Sequence, residues 1–572
     1  MILRSKSVVA ISAVSLFLVL GIIAVWSAHD TWAAGKASGP VKLAAVAPVL
    51  DCSRLLSADI DSAVGSPTHV TSATAVQDGK PAPYCDVTGY VEPQVKFEVR
   101  LPLATWTQRF VQTGCGGLCG NLGIHLSNDQ GCLPAQNGEL ALASTDMGHS
   151  GQGDGSFGEK EFQLRIDFAY RGVHVTTLAA KALIEKFYGQ KPKYSYFAGC
   201  SDGGREALME AQRYPEDFNG ISAGAPAMNF VTQNTFYHGW NARMNTGVDG
   251  KPILTADKLP ILHQAIVAKC DADDGLKDGI ISDPIACHFD PSVTQCKPGQ
   301  DASTCLTPAE VNVAMEIYAG AHDSDGNKLV LSGPLPGSEL AWVGVYIPRS
   351  GSDQLFSAQI ATGTLKYLAY EKNPSVDYSL ADLKFDRSSF AAATKLHFLY
   401  DSTDPDLSTF ASGGGKLILW HGFADQHISP LNTIAYYTAM ESVMGKSAVE
   451  RFARAYLFPG GYHCAGGEGP FNVDLLSALM GWVESGDAPQ GLIASHTADG
   501  GKVDSTRPVY PYPLTTKYTG SGDINDAKNF VAGSPEPVPA DKLNWLGSSF
   551  YSAHYEQWCS GSGTSMTCKP TR

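Results

Sequence analysis

The sequence predicts an α/β protein in which a parallel sheet carries helices on both faces. Strand-like runs alternate with helical stretches along the chain, which is the pattern of such sheets. The strand-like runs cover residues 95–101, 109–113, 140–144, 194–198, 220–223, 416–420 and 455–458. Apolar residues at helical spacing predict helices over 166–188, 205–213 and 471–484.

The alternation stops between residues 229 and 412. This segment is rich in Asp, Gly and Pro and holds four cysteines, so we interpret it as a lid domain inserted into the sheet domain. The predicted divisions are residues 41–228 and 413–532 for the two parts of the core, 229–412 for the lid, and 533–572 for a C-terminal extension. The proline-rich stretch 533–539 is typical of a linker.

The N-terminal segment 1–34 has the features of an export signal. Arg4 and Lys6 precede an uncharged, mostly apolar run over 8–26, and small residues follow. The run just reaches membrane-spanning length, so an uncleaved anchor stays open, and membrane association is expected only in that case. We therefore expect a secreted or periplasmic protein.

The charge of the chain argues against nucleic acid as a partner. The formal net charge is −15 and the pI is about 5.4, with no block rich in Lys or Arg. Proteins that bind nucleic acids need a clustered basic face that displaces counterions.

The 13 cysteines favour disulfides, because export leads to an oxidising compartment. The spacings suggest the pairs Cys52–Cys85, Cys270–Cys287, Cys296–Cys305 and Cys559–Cys568, with Cys200–Cys464 as the long-range candidate. Cys115, Cys119 and Cys132 form an odd trio, of which we expect one to stay outside a disulfide.

The pattern Gly-x-Ser-x-Gly occurs twice, around Ser201 and around Ser222. A nucleophile elbow needs a strand before the serine and a helix after it. The run 194–198 and the helix formers after residue 204 supply both for Ser201, whereas Pro226 comes after Ser222 without a helical pattern. We therefore expect Ser201 to be the nucleophile and Ser222 to be a packed residue.

Two further residues complete a candidate triad in the chain order of the α/β-hydrolase fold, which is Ser, acid, His. Asp425 follows the buried strand pattern 416–420, and His463 lies in a glycine-rich loop after the next strand. His463 would take the proton of Ser201, and Asp425 would fix the tautomer of the ring. If either residue is considered alone, a structural role is favoured: Asp425 would cap a loop, and His463 would be a hydrogen-bonded core residue. The chain order of the three residues favours the triad.

Backbone N–H groups are needed to stabilise the oxyanion of an acyl-transfer reaction. The candidates are Asp202, directly after the nucleophile, and the glycines Gly116 and Gly117, which follow the strand 109–113. A simple tight turn is the alternative for the glycine loop. A Cys200–Cys464 bond would hold the elbow and the histidine loop together.

The run 270–280 concentrates four aspartates within eight residues together with turn glycines. Such composition suits Ca²⁺, although a solvated acidic loop is as common, and the spacing is not that of an EF-hand.

Together these residues resemble the tannase and feruloyl esterase family of secreted serine esterases, from about residue 52 to 531. The resemblance rests on Cys200-Ser201, Asp425 and His463-Cys464, and on the loop 270–287. It implies an α/β-hydrolase fold with a lid, an ester hydrolase, and a small-molecule substrate with an aromatic acyl group such as a gallate, hydroxycinnamate or terephthalate monoester. It also implies a structural Ca²⁺ held by the carboxylates of Asp271, Asp274 and Asp278 and the carbonyls of Leu276 and Ile280.

The lid is where the aromatic ring would be held, and its candidate aromatic residues are Trp240, Trp342, Tyr346 and Phe356. Arg349 is a candidate partner for a substrate carboxylate. The chain departs from the family at Tyr510 and Ala532, where relatives often carry cysteines. Two other functions use the same residues: a binding protein whose triad the lid blocks, and an acyltransferase with an alcohol acceptor.

Overall fold

A computed structural model describes residues 39–126, 131–351, 353–498 and 500–571. The predicted export signal, residues 1–34, lies outside these ranges. Among the described helices, none combines the length and apolar character needed to cross a bilayer.

Nine strands form the central sheet, in the order β1-β2-β3-β5-β4-β6-β7-β8-β9. Their bounds are β1 Thr68–Val76, β2 Tyr84–Val91, β3 Val95–Pro102, β4 Arg109–Thr113, β5 Leu140–Thr145, β6 Tyr194–Cys200, β7 Gly220–Gly224, β8 Lys416–Gly422 and β9 Ala453–Phe458. Strands β5, β4, β6, β7, β8 and β9 are parallel to one another. Six of the seven predicted strands are therefore parallel, whereas the run predicted over 95–101 is β3, which pairs antiparallel with β5.

Two strands that the sequence did not predict, β1 and β2, form with β3 an antiparallel edge of this sheet. Strands β1, β2 and β3 pair antiparallel with one another, and β3 pairs antiparallel with β5. Buried and less buried residues alternate strictly along β2. These strands have one solvated face and short apolar runs, so their signal is weaker than that of strands buried on both faces.

Within the described ranges, sixteen α-helices accompany the sheet, and short 3₁₀ and π segments adjoin several of them. The α-helices are α1 Asp61–Val64, α2 Leu133–Gln136, α3 Phe162–Ile166, α4 Gly172–Tyr188, α5 Asp202–Arg213, α6 Phe230–Thr232, α7 His238–Met244, α8 Leu259–Cys270, α9 Pro308–Ala319, α10 Phe356–Tyr367, α11 Arg387–Ala393, α12 His397–Tyr400, α13 Ser408–Ser412, α14 Leu431–Met444, α15 Lys446–Val449 and α16 Leu475–Ser485. A π-helical turn, Asp167–Arg171, replaces the start of the predicted helix 166–188.

Both faces of the sheet are buried. Successive side chains of a strand point to opposite faces, so each face can be followed along one strand. Along β8, Leu417 and Leu419 belong to one apolar cluster, and Ile418 and Trp420 belong to another. The edge of the sheet at the carboxyl ends of β6, β8 and β9 is thus held rigidly from two sides.

The segment between β7 and β8 contributes no strand to the central sheet within the described chain. Part of it forms a third apolar cluster between Leu254 and Ile347, centred on α8 and α9. A separate core of this kind is expected of a segment that folds as a unit beside the sheet.

The C-terminal extension packs against the core. Beyond the central sheet, the described chain forms three antiparallel strand pairs: β10 Leu492–Thr497 with β11 Val503–Val509, β12 Leu514–Tyr518 with β13 Phe530–Pro535, and β14 Gln557–Ser562 with β15 Ser565–Pro570. Strand β13 thus runs into the predicted linker. Farther along, the Glu556 carboxylate lies 3.2 Å from Arg213 of α5, and both side chains are buried. The linker prediction for 533–539 rests on the proline-rich composition, and these contacts hold the chain to the core before and after that stretch.

Six disulfides join twelve of the cysteines: Cys52–Cys85, Cys115–Cys119, Cys200–Cys464, Cys270–Cys287, Cys296–Cys305 and Cys559–Cys568. Within the odd trio, Cys115 therefore pairs with Cys119, and Cys132 is buried outside these bonds. Disulfides in this number are typical of extracellular proteins.

Candidate active site

Ser201 stands at a sharp turn between β6 and α5. Its φ of 66° and ψ of −122° form a backbone conformation that non-glycine residues rarely adopt. A Cβ atom on Gly199 would overlap the carbonyl of Gly203, and one on Gly203 would lie 3.0 Å from the Cys115 carbonyl oxygen. Glycines on both sides of Ser201 thus allow the strand, the helix and the loop after β4 to meet, which is the geometry of a nucleophile elbow.

Ser222 lies inside β7 and has no such geometry. Its side chain is buried, and its hydroxyl accepts a hydrogen bond of 3.1 Å from the Trp420 indole N–H. A Cβ atom on Gly224 would overlap the Trp420 ring, so the glycine of this second pattern makes room for that ring. Packing against Trp420 explains the second Gly-x-Ser-x-Gly pattern.

Asp425 and His463 lie in the loops that follow β8 and β9. The Nδ1 atom of His463 lies 2.7 Å from Asp425 Oδ2, and the Asp425 side chain is fully buried. Asp425 Oδ1 accepts the backbone N–H groups of His427 and Ile428, at 2.7 and 3.0 Å. Burial favours the neutral acid, but the His463 charge and the hydrogen bonds from His421 and His463 outweigh it and hold the pKa of Asp425 below its ordinary value.

His421 is a partner of Asp425 to which the sequence interpretation gave no role. Its Nε2 atom lies 3.1 Å from Asp425 Oδ2, and its Nδ1 atom lies 2.8 Å from the Thr433 hydroxyl. Both the His421 and Asp425 side chains are fully buried. The spacing of four residues from Asp425 is the signal that could have identified this contact.

Ser201 and His463 line one cavity, and a covalent bond joins their neighbours. The Cα atoms of Cys200 and Cys464 are 5.9 Å apart in the disulfide. Among the described contacts, none is a hydrogen bond between the Ser201 hydroxyl and the His463 ring. In enzymes without substrate such bonds are often long and tighten only in the complex.

The residues Gly114–Cys119, which follow β4, form what we call the oxyanion loop. It is closed by the Cys115–Cys119 disulfide and by a 3.0 Å bond from the Cys119 N–H to the Gly116 carbonyl. In the described chain, the N–H groups of Gly116, Gly117 and Asp202 donate to no protein acceptor, and all three residues line the cavity. The three residues predicted to supply the oxyanion donors thus line the same cavity as Ser201.

The cavity has a volume of about 540 Å³. Phe356 and Ile360 of α10, with His238 of α7, contribute the side that comes from the inserted segment. Burial, together with the His463 charge, lowers the pKa of His238 to about 3, and the pKa of His427 also lies well below its usual value. These two rings are therefore neutral at physiological pH.

Of the four aromatic residues expected to grip a substrate ring and the arginine expected to pair with a substrate carboxylate, four lie outside the cavity lining. Trp342 and Tyr346 are fully buried in the core of the inserted segment, and the Trp240 indole donates to the Glu316 carbonyl. Arg349 is exposed and outside the cavity lining. Only Phe356 of the five lines the cavity, because the inserted segment uses the larger rings to build its own core.

The acidic loop after α8 has side chains turned back on its own backbone. Asp271 accepts the N–H groups of Asp278 and Gly279, Asp274 accepts that of Leu276, and Asp278 accepts that of Ile280. Burial, and the charges of Asp278 and Asp274, raise the pKa of Asp271. A bound cation would offset the repulsion between these carboxylates.

Among the described residues, two groups outside the acidic loop bring their ligand atoms close enough together to hold a metal. His174, Glu210 and Asp217 bring their ligand atoms within 4.8 Å of one another, as do Asp202 and Glu206 with two cysteines that are bonded to each other. The loop aspartates form neither of these groups. In that loop, Asp278 also lies 2.8 Å from Arg507, which already balances part of the charge.

Comparison with known proteins assigns a family to this geometry. The family model described as tannase and feruloyl esterase matches residues 78–532. The chain belongs to the tannase and feruloyl esterase family. It is 31% identical to a mono(2-hydroxyethyl) terephthalate hydrolase of Piscinibacter sakaiensis over 558 residues, which cover 85% of this chain and 92% of that protein.

Two fungal relatives agree with this assignment. A probable feruloyl esterase B of Aspergillus clavatus is 33% identical over 463 residues, 76% of this chain and 82% of the relative. The crystal structure of feruloyl esterase B from Aspergillus oryzae superposes with a TM-score of 0.71 at 28% identity, covering 81% of this chain and 96% of that one. The predicted α/β-hydrolase fold is confirmed, and so is the prediction of a carboxylic ester hydrolase.

Proposed function

We propose that this member of the family is a secreted serine esterase that cleaves esters of aromatic acids with Ser201, His463 and Asp425. The observation that carries the proposal is the 2.7 Å contact between His463 and the buried Asp425, at the rim of the cavity that Ser201 also lines. The names of the relatives, a terephthalate monoester hydrolase and feruloyl esterases, support an aromatic acyl group.

The chemistry follows from the placement of these groups. The Ser201 oxygen attacks the ester carbonyl while His463 Nε2 takes its proton, and Asp425 stabilises the resulting imidazolium through Nδ1–H. The N–H groups of Asp202, Gly116 and Gly117 receive the oxyanion. His463 returns the proton to the leaving alcohol, and water then cleaves the acyl-enzyme by the same steps.

The cavity favours an uncharged acyl group. The described residues that line it include neutral histidines, amides and apolar groups but no Lys or Arg. A terephthalate monoester would bring a free carboxylate to a lining whose described residues include no cation, and burying an unpaired charge is costly. Galloyl and hydroxycinnamoyl esters, whose rings carry hydroxyls, suit this lining better.

A substrate panel with two matched serine variants tests the proposal. Wild type, Ser201→Ala and Ser222→Ala are assayed with methyl gallate, methyl ferulate, chlorogenic acid and a terephthalate monoester. We expect hydrolysis by wild type and Ser222→Ala, with kcat reduced at least about 10⁴-fold in Ser201→Ala. Absence of turnover in wild type, or full activity of Ser201→Ala, would refute the proposal and favour a binding protein.

We further propose that the acidic loop binds a structural Ca²⁺ through Asp271, Asp274 and Asp278, with the carbonyls of Leu276 and Ile280. The mutual repulsion of these carboxylates supports the site. The proposed division keeps residues 41–228 and 413–532 as the core, 229–412 as the lid and 533–572 as the extension. The separate apolar cluster of the inserted segment supports that division.

A further inference from the structure

A buried carboxyl group connects the oxyanion loop with the helix that follows the nucleophile. Glu206, on α5, is 1% exposed. Its Oε1 atom accepts the backbone N–H of Cys115 at 3.2 Å, and it also lies 2.6 Å from Cys115 Sγ and 3.3 Å from Cys119 Sγ. One side chain of α5 thus contacts both ends of the disulfide that closes the loop.

The surroundings of Glu206 favour its neutral form. The sulfur atoms of a disulfide carry no proton, so they cannot donate a hydrogen bond to a carboxylate. The neighbouring cation, Arg205, is already paired with Asp202 at 2.7 Å, and the Asp202 carboxylate disfavours a second negative charge beside it. Burial and then the charge of Asp202 raise the pKa of Glu206 well above its ordinary value.

The Glu206 contact lies at the junction between the oxyanion loop and α5, the two elements that supply the oxyanion donors. The Gly203 N–H donates to the Cys115 carbonyl at 2.7 Å, and a Cβ atom on Gly114 would lie 2.5 Å from Gly203 Cα. The loop supplies Gly116 and Gly117, and α5 supplies Asp202. A shift between loop and helix would therefore separate donors that must converge on one oxygen.

We propose that Glu206 is a positioning residue that fixes the oxyanion loop against the nucleophile helix. The inference rests on the proposed function, because it assigns Glu206 to the transition state of that reaction. A positioning role predicts loss of kcat with little change in KM, since the donors act on the tetrahedral oxyanion and not on the bound ester.

The test compares Glu206→Ala and Glu206→Gln with Glu210→Ala as a matched control. Glu210 lies one turn farther along α5, is fully buried, and is not among the described residues that form the oxyanion loop or line the cavity. Each variant is measured for kcat and KM with the best ester of the panel and for melting temperature. Binding of an aromatic boronic acid, whose adduct on Ser201 mimics the oxyanion, is compared with binding of the free product acid.

We expect Glu206→Ala to lower kcat by about 10- to 100-fold, less than deletion of an oxyanion donor, and to leave KM within about threefold. The affinity of Glu206→Ala for the boronic acid should fall by a similar factor to kcat, while its affinity for the product acid stays constant. Glu206→Gln should restore both kcat and the affinity for the boronic acid. The proposal is overturned if Glu206→Ala keeps the wild-type kcat, if Glu206→Gln is as impaired as Glu206→Ala, or if Glu210→Ala loses kcat equally. Failure of the esterase function itself shows separately, as an inactive wild type.

Discussion

Removal of the Cys200–Cys464 disulfide should cost both stability and rate. The bond closes a loop with a sequence separation of 264, and the chain-entropy relation values such a loop at about 5 to 6 kcal/mol. The local pairs Cys270–Cys287 and Cys296–Cys305 lie inside this loop with separations of only 17 and 9, so they shorten it too little to alter that figure. Cys464 has a positive φ of 62°, and relaxation of this strain would return about 1 kcal/mol.

The assay is denaturant unfolding of the Cys200→Ser/Cys464→Ser variant, with Cys559→Ser/Cys568→Ser as the matched control. The control loop has a separation of 9, for which the same relation gives about 2 to 3 kcal/mol, and it lies outside the cavity lining. We expect the first variant to lose about twice the free energy of unfolding of the control. Its kcat should also fall at least about tenfold, because His463 is no longer held beside Ser201. Equal losses in the two variants, or an unchanged kcat in the first, would contradict this reasoning.

Three further outcomes are expected. Asp425→Asn should lower kcat by about 10⁴-fold in steady-state assays while the fold stays intact by circular dichroism; retention of activity would exclude Asp425 as the acid. A Ca²⁺ chelator should lower the melting temperature of wild type by a few degrees and have no effect on Asp274→Asn, and identical melting curves for wild type with and without chelator would argue against the ion. Burial opposes the charge on His263, but its contacts with Glu339 and Glu468 raise its pKa to about 10, so the stability gained is present below the unfolded pKa of about 6.5 and is lost as pH rises through 10. That loss is about 4 kcal/mol at most, measured as the free energy of unfolding between pH 6 and 10, and His263→Gln should abolish it; a variant with the same pH dependence would disprove the assignment.

The candidate triad could be predicted because each residue follows a strand with a clear pattern. Ser201 has a strand before it and a helix after it, and Asp425 and His463 come after buried apolar runs. The parallel part of the sheet was predictable for the same reason, since strands buried on both faces read as continuous apolar segments. The antiparallel edge strands β1 and β2 were missed because half of their residues face solvent.

Residues whose role depends on packing could not be predicted. Trp342 and Tyr346 were predicted to contact the substrate ring, but they pack in the separate core of the inserted segment. The pairing of Cys115 with Cys119 depends on the turn geometry of the oxyanion loop, which three cysteines in sequence do not define. The contacts of His421 and Glu206 arise from the close approach of elements that only the fold brings together.

The order in which the cysteines emerge during synthesis affects which disulfides can form first. Five of the six disulfides join cysteines that are consecutive among the thirteen. Cys200 is the exception, because its partner emerges only after residues 270–305 have supplied two bonds of their own. Other cysteines, Cys270 among them, emerge before Cys464 and can form incorrect bonds with Cys200. We therefore expect efficient maturation to need a disulfide isomerase in the host, and expression in a reducing cytosol to give protein in which the loops of Ser201 and His463 are not joined.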